Sequence, residues 1–132
     1  MGQGDARSKS PSGFRRISAA FRYTCSGFRQ AVRHEAAIRE ELIALAFLVP
    51  LSIWIHVGAM EHLVLLLTLL LVVLVEFLNS AIEATVDRIS LERHPLAGRA
   101  KDFGSAAVFV ALVMCALSWA VVCGPLIVRS LK

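Results

Sequence analysis

Cysteine is nearly missing from this sequence. Three occur, Cys25, Cys115 and Cys123, an odd number without metal-like spacing, so neither a disulfide framework nor a thiolate metal centre is expected. All three fall in apolar or amphipathic stretches and read as small buried or lipid-facing residues. Aromatic residues make up only 8% of the chain, and they do not interleave with the cations to form a base-stacking surface. Nucleic acid is therefore excluded as a partner despite a formal charge of +4 and a pI near 9.4. The cations flank apolar runs, which suits anionic lipid headgroups or nucleotide phosphates better. A GxxxxGK[ST] loop and the protein-kinase signature set are both absent, so neither familiar nucleotide-binding fold is expected. The opening residues, MGQGDARSKSPS, lack the apolar core and cleavage site of a signal peptide and the Ser or Thr that favours myristoylation. Residues 1–12 are expected to form a disordered polar leader.

What is present is apolar surface. Of 132 residues, 57% are hydrophobic and only 18% charged, with a mean hydropathy of +0.67. A soluble domain of this size cannot hide that much apolar area, so a bilayer is the expected solvent and residues 13–132 the single domain placed in it. From about 13 to 30, Phe14, Ile17, Phe21 and Phe28 recur at helical spacing with Arg15, Arg16, Arg22 and Arg29 between them. That pattern predicts an amphipathic helix lying in the headgroup plane. A second segment, about 32–56, starts with Glu35, Arg39, Glu40 and Glu41 and is apolar from Leu42 to Ile55, with Pro50 tolerable in a membrane helix. A third, about 62–88, is apolar from Leu63 to Val75 except for Thr68, then carries Glu76, Asn79, Ser80, Glu83 and Asp87. Its length of about 40 Å exceeds a hydrocarbon core of about 30 Å, so its acidic end should emerge. Pro95 and Gly98 read as breakers in a polar link over 90–102, and a last span is expected over about 103–128. Small residues at its start, Gly104 to Ala107, would admit a close neighbour.

Eight Lys or Arg precede the first apolar run and four more lie between Arg88 and Lys101, whereas the 57–62 turn has none. The N-terminus and the 88–101 link are thus expected in the cytoplasm of a multi-pass membrane protein, with Arg129 and Lys132 a minor contrary signal.

Helical geometry then gathers the polar residues of the third segment. With Glu76 taken as the origin on a helix of 3.6 residues per turn, Asn79 falls at about −60°, Glu83 at about −20°, Asp87 at about +20° and Ser80 at about +40°. A carboxylate at the membrane boundary is costly unless paired, protonated or metal-bound, so this face calls for a purpose. A structural polar network, an ion or proton pathway of a small transporter or channel subunit, and a metal-assisted phosphoryl-transfer site all remain open. The pathway is disfavoured because only Thr68 is polar in the outer half. In the third reading Glu83 suits Mg²⁺, while Glu76, two turns deeper, suits the proton of a lipid hydroxyl. Lys101, Asp102, Arg93 and His94 lie near the same interface, where cations could offset charge on a transferred phosphoryl group, although each also suits a simple anchor.

At these residues a resemblance appears. VEFLNSAIEATVDRI followed by LAGRAKDFGSAAV closely resembles the signature of the prokaryotic diacylglycerol kinase family. GFRRISAAFRYTCSGFRQAVRHEAAIREE is similar to the family's surface helix and the start of its first membrane helix, so the likeness runs from about 13 to 119. The resemblance implies an all-α integral membrane fold. One amphipathic surface helix and three transmembrane helices per subunit would assemble as a homotrimeric bundle in the bacterial inner membrane. It implies transfer of phosphate from MgATP to diacylglycerol, with sites between subunits near the cytoplasmic interface. Glu76 would be the general base, supported by Asn79 and Asp87, with Lys101 also catalytic and with Glu35 and Glu83 holding Mg²⁺. Nucleotide contacts would fall on Arg16, Tyr23, Glu35, Glu83, Glu92, Arg93, His94, Lys101 and Asp102, and lipid contacts on Arg16, Arg39, Glu76, Ser105 and Trp119. Ala19 and Cys25 stand where some relatives have Lys and Trp, a difference that bears on lipid grip. A related branch phosphorylates undecaprenol; the surface helix with GFRRI favours diacylglycerol.

Overall fold

The computed structural model describes residues 13–89 and 94–130, and every regular element among them is an α-helix: α1 Gly13–His34, α2 Ala36–Trp54, α3 Ala59–Ile89 and α4 Pro95–Ser130. Residues 1–12, 90–93 and 131–132 lie outside the described residues, and with them the expected leader.

The described residues divide into two compact units, one ending at His34 and the other beginning at Glu35. In the first, α1 gathers Phe14, Ile17, Phe21 and Phe28 on one face and Arg15, Arg22, Arg29 and Arg33 on a flank about 115° away, as the periodicity predicts. It is one turn longer than expected, running to His34. The break falls at Glu35, whose φ of −105° and ψ of 115° are extended; it serves as N-cap of α2 and is not a residue within that helix.

In the second unit α3 packs along α4 and, over a shorter stretch, against α2. The buried residues of α3 form one stripe, Leu65, Leu69, Val72, Val73, Glu76 and Asn79, at the three- and four-residue spacing of a helix face. Facing it on α4 are Gly104 and Ala111, both buried, seven residues apart and hence on one side. Small side chains there let the two backbones approach, which is how membrane helices associate when lipid removes the hydrophobic drive. Leu67, Leu70, Leu74 and Leu78 cover the opposite side of α3 and are exposed.

Two helix ends explain themselves. The Gly58 backbone N–H donates to the Glu61 carboxylate, the returning half of a capping box at the start of α3. α4 begins at Pro95, eight residues before the expected 103. Proline suits the first helical position, where its missing N–H costs nothing, and His94 Nδ1 accepts from the Leu96 N–H at 3.2 Å as a side-chain cap. Pro95 therefore starts a helix that Gly98 does not interrupt. Pro50 stays within α2, as expected.

α3 and α4 are each long and apolar enough to cross a membrane. α2 is not so by itself: Arg39, Glu40 and Glu41 occupy its first turns, and its apolar part, 42–54, spans roughly 20 Å.

Candidate active site

The acidic end of α3 gathers the chemistry. Glu76 is 7% exposed and Asn79 8%, both at the end of the apolar stripe; Glu83 is half-buried and Asp87 exposed. The single rod of α3 fixes their order, and packing against α2 and α4 covers the deeper pair. Asn79 Nδ2 donates to Glu83 Oε1 at 3.2 Å, and Glu76 lies one turn away on the same face, within electrostatic reach of the amide. It thus stands between two carboxylates separated by two turns and bonds the outer one.

α2 supplies the other acids. Glu35, at its N-cap, and Glu83 both lie within electrostatic range of Glu76. So does Glu41, whose Oε2 is buried without a hydrogen-bond partner. Glu35, Glu41 and Glu83 thus each lie within electrostatic range of Glu76 at one end of the bundle. Unscreened, they repel it, which is an arrangement that a cation would relieve. Among the described residues no three ligand side chains converge on one metal position. Mg²⁺ asks less than that: one or two carboxylates, with phosphate oxygens and water completing its shell. Glu35 and Glu83 are hard-oxygen donors of the type that ion takes.

Lys101 Nζ meets Asp87 Oδ1 at 2.6 Å, tying the first turns of α4 to the last turn of α3. Asp102 and Ser105, neighbours on α4, are exposed. Arg39 is exposed on α2, its backbone N–H 3.4 Å from the Glu35 carbonyl. His94 is exposed and engaged as the cap of α4. Arg16 and Tyr23 are exposed on α1, in the other unit, and Glu92 and Arg93 lie outside the described residues. Trp119 is not among the carboxylates. It lines an open cleft of about 600 Å³ with Leu51, Trp54, His56 and Cys123, fourteen residues and roughly 21 Å along α4 from Ser105. Its Nε1 is buried without a partner.

Glu41 is the residue that the sequence reading passed over. Its signal was position: a third charge directly before the apolar run that begins at Leu42, where charge is costly without a role.

Comparison with known proteins adds a finding of another kind. The sequence profile described as "Prokaryotic diacylglycerol kinase" matches residues 22–123. The diacylglycerol kinase of Pseudomonas aeruginosa is 46% identical over 114 residues, covering 86% of this chain and 93% of that protein. That of Escherichia coli is 46% identical over 110 residues, or 83% and 90%. That of Haemophilus influenzae is 39% identical over 108 residues, or 82% and 92%. The profile match takes in every carboxylate around Glu76 together with Lys101, and leaves Arg16 outside it.

Proposed function

The chain belongs to the prokaryotic diacylglycerol kinase family, and on that premise we propose that it transfers the γ-phosphate of ATP to the free hydroxyl of diacylglycerol, giving phosphatidate and ADP. The observation that carries this reading is the burial of Glu76, within electrostatic range of Glu35, Glu41 and Glu83, on a helix long enough to cross the membrane. A lipid alcohol arrives from the bilayer side of that point and a nucleotide from the aqueous side.

Glu76 accepts the proton of the lipid hydroxyl as its oxygen attacks the γ-phosphorus. The new O–P bond forms, the bond from that phosphorus to the bridging oxygen of ADP breaks, and the proton passes from Glu76 to water. Phosphoryl transfer asks little covalent chemistry of a protein beyond alignment and charge stabilisation. Asn79 holds the carboxylates in register, and Glu35 and Glu83 would hold Mg²⁺. Bound there, the ion would offset the negative charge of the nucleotide phosphates. Lys101 adds a second positive charge, shared with Asp87. Arg16, Tyr23, Glu92, Arg93, His94 and Asp102 would contact the nucleotide. Arg16, Arg39 and Ser105 would contact the lipid headgroup, and Trp119, fourteen residues further along α4 than Ser105, its acyl chains.

The assembly belongs to the same proposal. α2 makes the third crossing by adding its polar first turns to the 42–54 apolar part, three copies form the bundle, and the N-terminus lies in the cytoplasm of a bacterial inner membrane. The cation-rich flanks of α2 and α4 and the exposed leucines of α3 support this arrangement.

The test offers MgATP with dioleoylglycerol and, separately, undecaprenol to the detergent-purified chain. Labelled phosphatidate is expected, with the undecaprenol arm slower. Glu76→Gln should lower turnover by at least about a hundredfold while MgATP still binds. A Glu76→Gln protein with native turnover refutes the assignment of the base, and faster labelling of undecaprenol moves the chain to the other acceptor.

A further inference from the structure

The Asn79 amide has a fixed polarity that α4 imposes. Its nitrogen carries two N–H donors and donates to Glu83 Oε1 at 3.2 Å, with the Glu76 carboxylate nearby on the same helix face. Its oxygen is buried and accepts no hydrogen bond. That oxygen points at Gly104 of α4, where a Cβ would overlap Oδ1 and come within 3.2 Å of Cγ. Turning the amide over would set an oxygen against the Glu83 carboxylate and press the bulkier NH₂ against Gly104. Gly104 is buried, and its φ is not positive, so backbone freedom does not call for glycine here. Space does.

We propose that Gly104 is a positioning residue: its missing side chain is the slot that seats the Asn79 amide with its nitrogen between Glu76 and Glu83. This rests on the reading in which Glu76 takes the proton and Glu83 the metal of MgATP. A methyl group at 104 would push the amide out of the slot, freeing the Glu83 carboxylate to swing and drawing the amide away from Glu76. The Asn79 Cα, 3.8 Å from the same Cβ position, is at ordinary contact distance, so the clash is confined to the amide and the backbones need not separate.

The test is a double-mutant cycle between Gly104→Ala and Asn79→Ala, read by the dissociation constant for MgATP, which can be measured without turnover, and by kcat where it is measurable. In the native background Gly104→Ala should weaken MgATP binding about tenfold, the size expected when a hydrogen bond to a charged ligand group is lost. In the Asn79→Ala background the same substitution should change binding by less than about twofold, because the group it displaces is gone. A purely structural role would lower the folded fraction alike in both backgrounds and leave the dissociation constant of the folded protein unchanged. Equal losses in both backgrounds, or none in the native one, overturn the proposal. If Gly104→Ala alone fails to assemble, assembly regained in the double variant supports the slot, and failure of both refutes it. A Glu76→Gln protein that retains activity removes the base from the reading and still leaves this coupling measurable.

Discussion

Leu65 and Leu67 stand two residues apart on α3 and report which way the whole helix faces. Leu65 is 0% exposed and Leu67 54%. Eleven residues separate Leu65 from Glu76, which puts them about 20° apart around the helix axis, whereas the nine from Leu67 put it about 180° away. Truncating each leucine to alanine therefore asks whether the carboxylate face looks into the bundle or out into lipid. In soluble cores Leu→Ala costs about 2.7–5.0 kcal/mol, a sum of transfer out of water and of the cavity left behind. Within a bilayer the transfer part falls away, since hydrocarbon surrounds the side chain of a separated helix as well. What survives is lost packing against α2 and α4, about 1–2 kcal/mol for Leu65→Ala, judged from the spread of the soluble series. Leu67→Ala, on the exposed side, should stay within about 0.5 kcal/mol of the native protein. Unfolding in mixed micelles by increasing mole fraction of SDS, followed by circular dichroism and by recovered kinase turnover, gives both values. A larger loss at Leu67 than at Leu65 would mean that α3 is turned by half a revolution, with Glu76 facing away from α2 and α4, and the proposed active site would fall with it.

Two further expectations follow from the ion pair and the unpartnered acid. Asp87→Asn and Lys101→Met both break the 2.6 Å contact, but only the second removes the cation proposed to face the nucleotide phosphates. Lys101→Met should raise the KM for MgATP several-fold more than Asp87→Asn, and equal effects would reduce Lys101 to a tether. Glu41→Met replaces a carboxylate whose Oε2 is buried without a partner by an apolar side chain of similar length. It should raise stability in the SDS titration by about 1 kcal/mol, the order of an unsatisfied buried polar group; an unchanged or lowered midpoint would show that Glu41 has a partner in the assembled protein.

The helices and the acidic stripe were legible because each is a local property. Periodicity alone sets Phe14, Ile17, Phe21 and Phe28 on one face, and Glu76, Asn79, Glu83 and Asp87 on another. Junctions were harder. Pro95 reads as a breaker or as a helix start depending on whether the preceding residue can cap, and His94 does so through its ring nitrogen. Glu35 reads as one more helical residue among good helix formers, yet the chain is extended there. Contacts between helices were least legible. Nothing local distinguishes Glu40 from Glu41, and only the packing of α2 on α3 brings the second of them to Glu76. The small-residue run at 104–107 announced a close approach without saying that Asn79 would occupy it.

α4 continues unbroken from Pro95 to Ser130, about 54 Å of rod, so Lys101 and Ser105 are carried on the same stiff shaft that is immersed in lipid further along. Their separation from Glu76 and Glu83 on α3 is consequently a crossing geometry rather than a loop conformation. Helices longer than the hydrocarbon layer answer a change in its thickness by leaning. A thinner or thicker host membrane thus reaches the proposed phosphoryl-transfer geometry through tilt, and the surrounding lipid becomes a mechanical input to the protein as well as the solvent of its substrate.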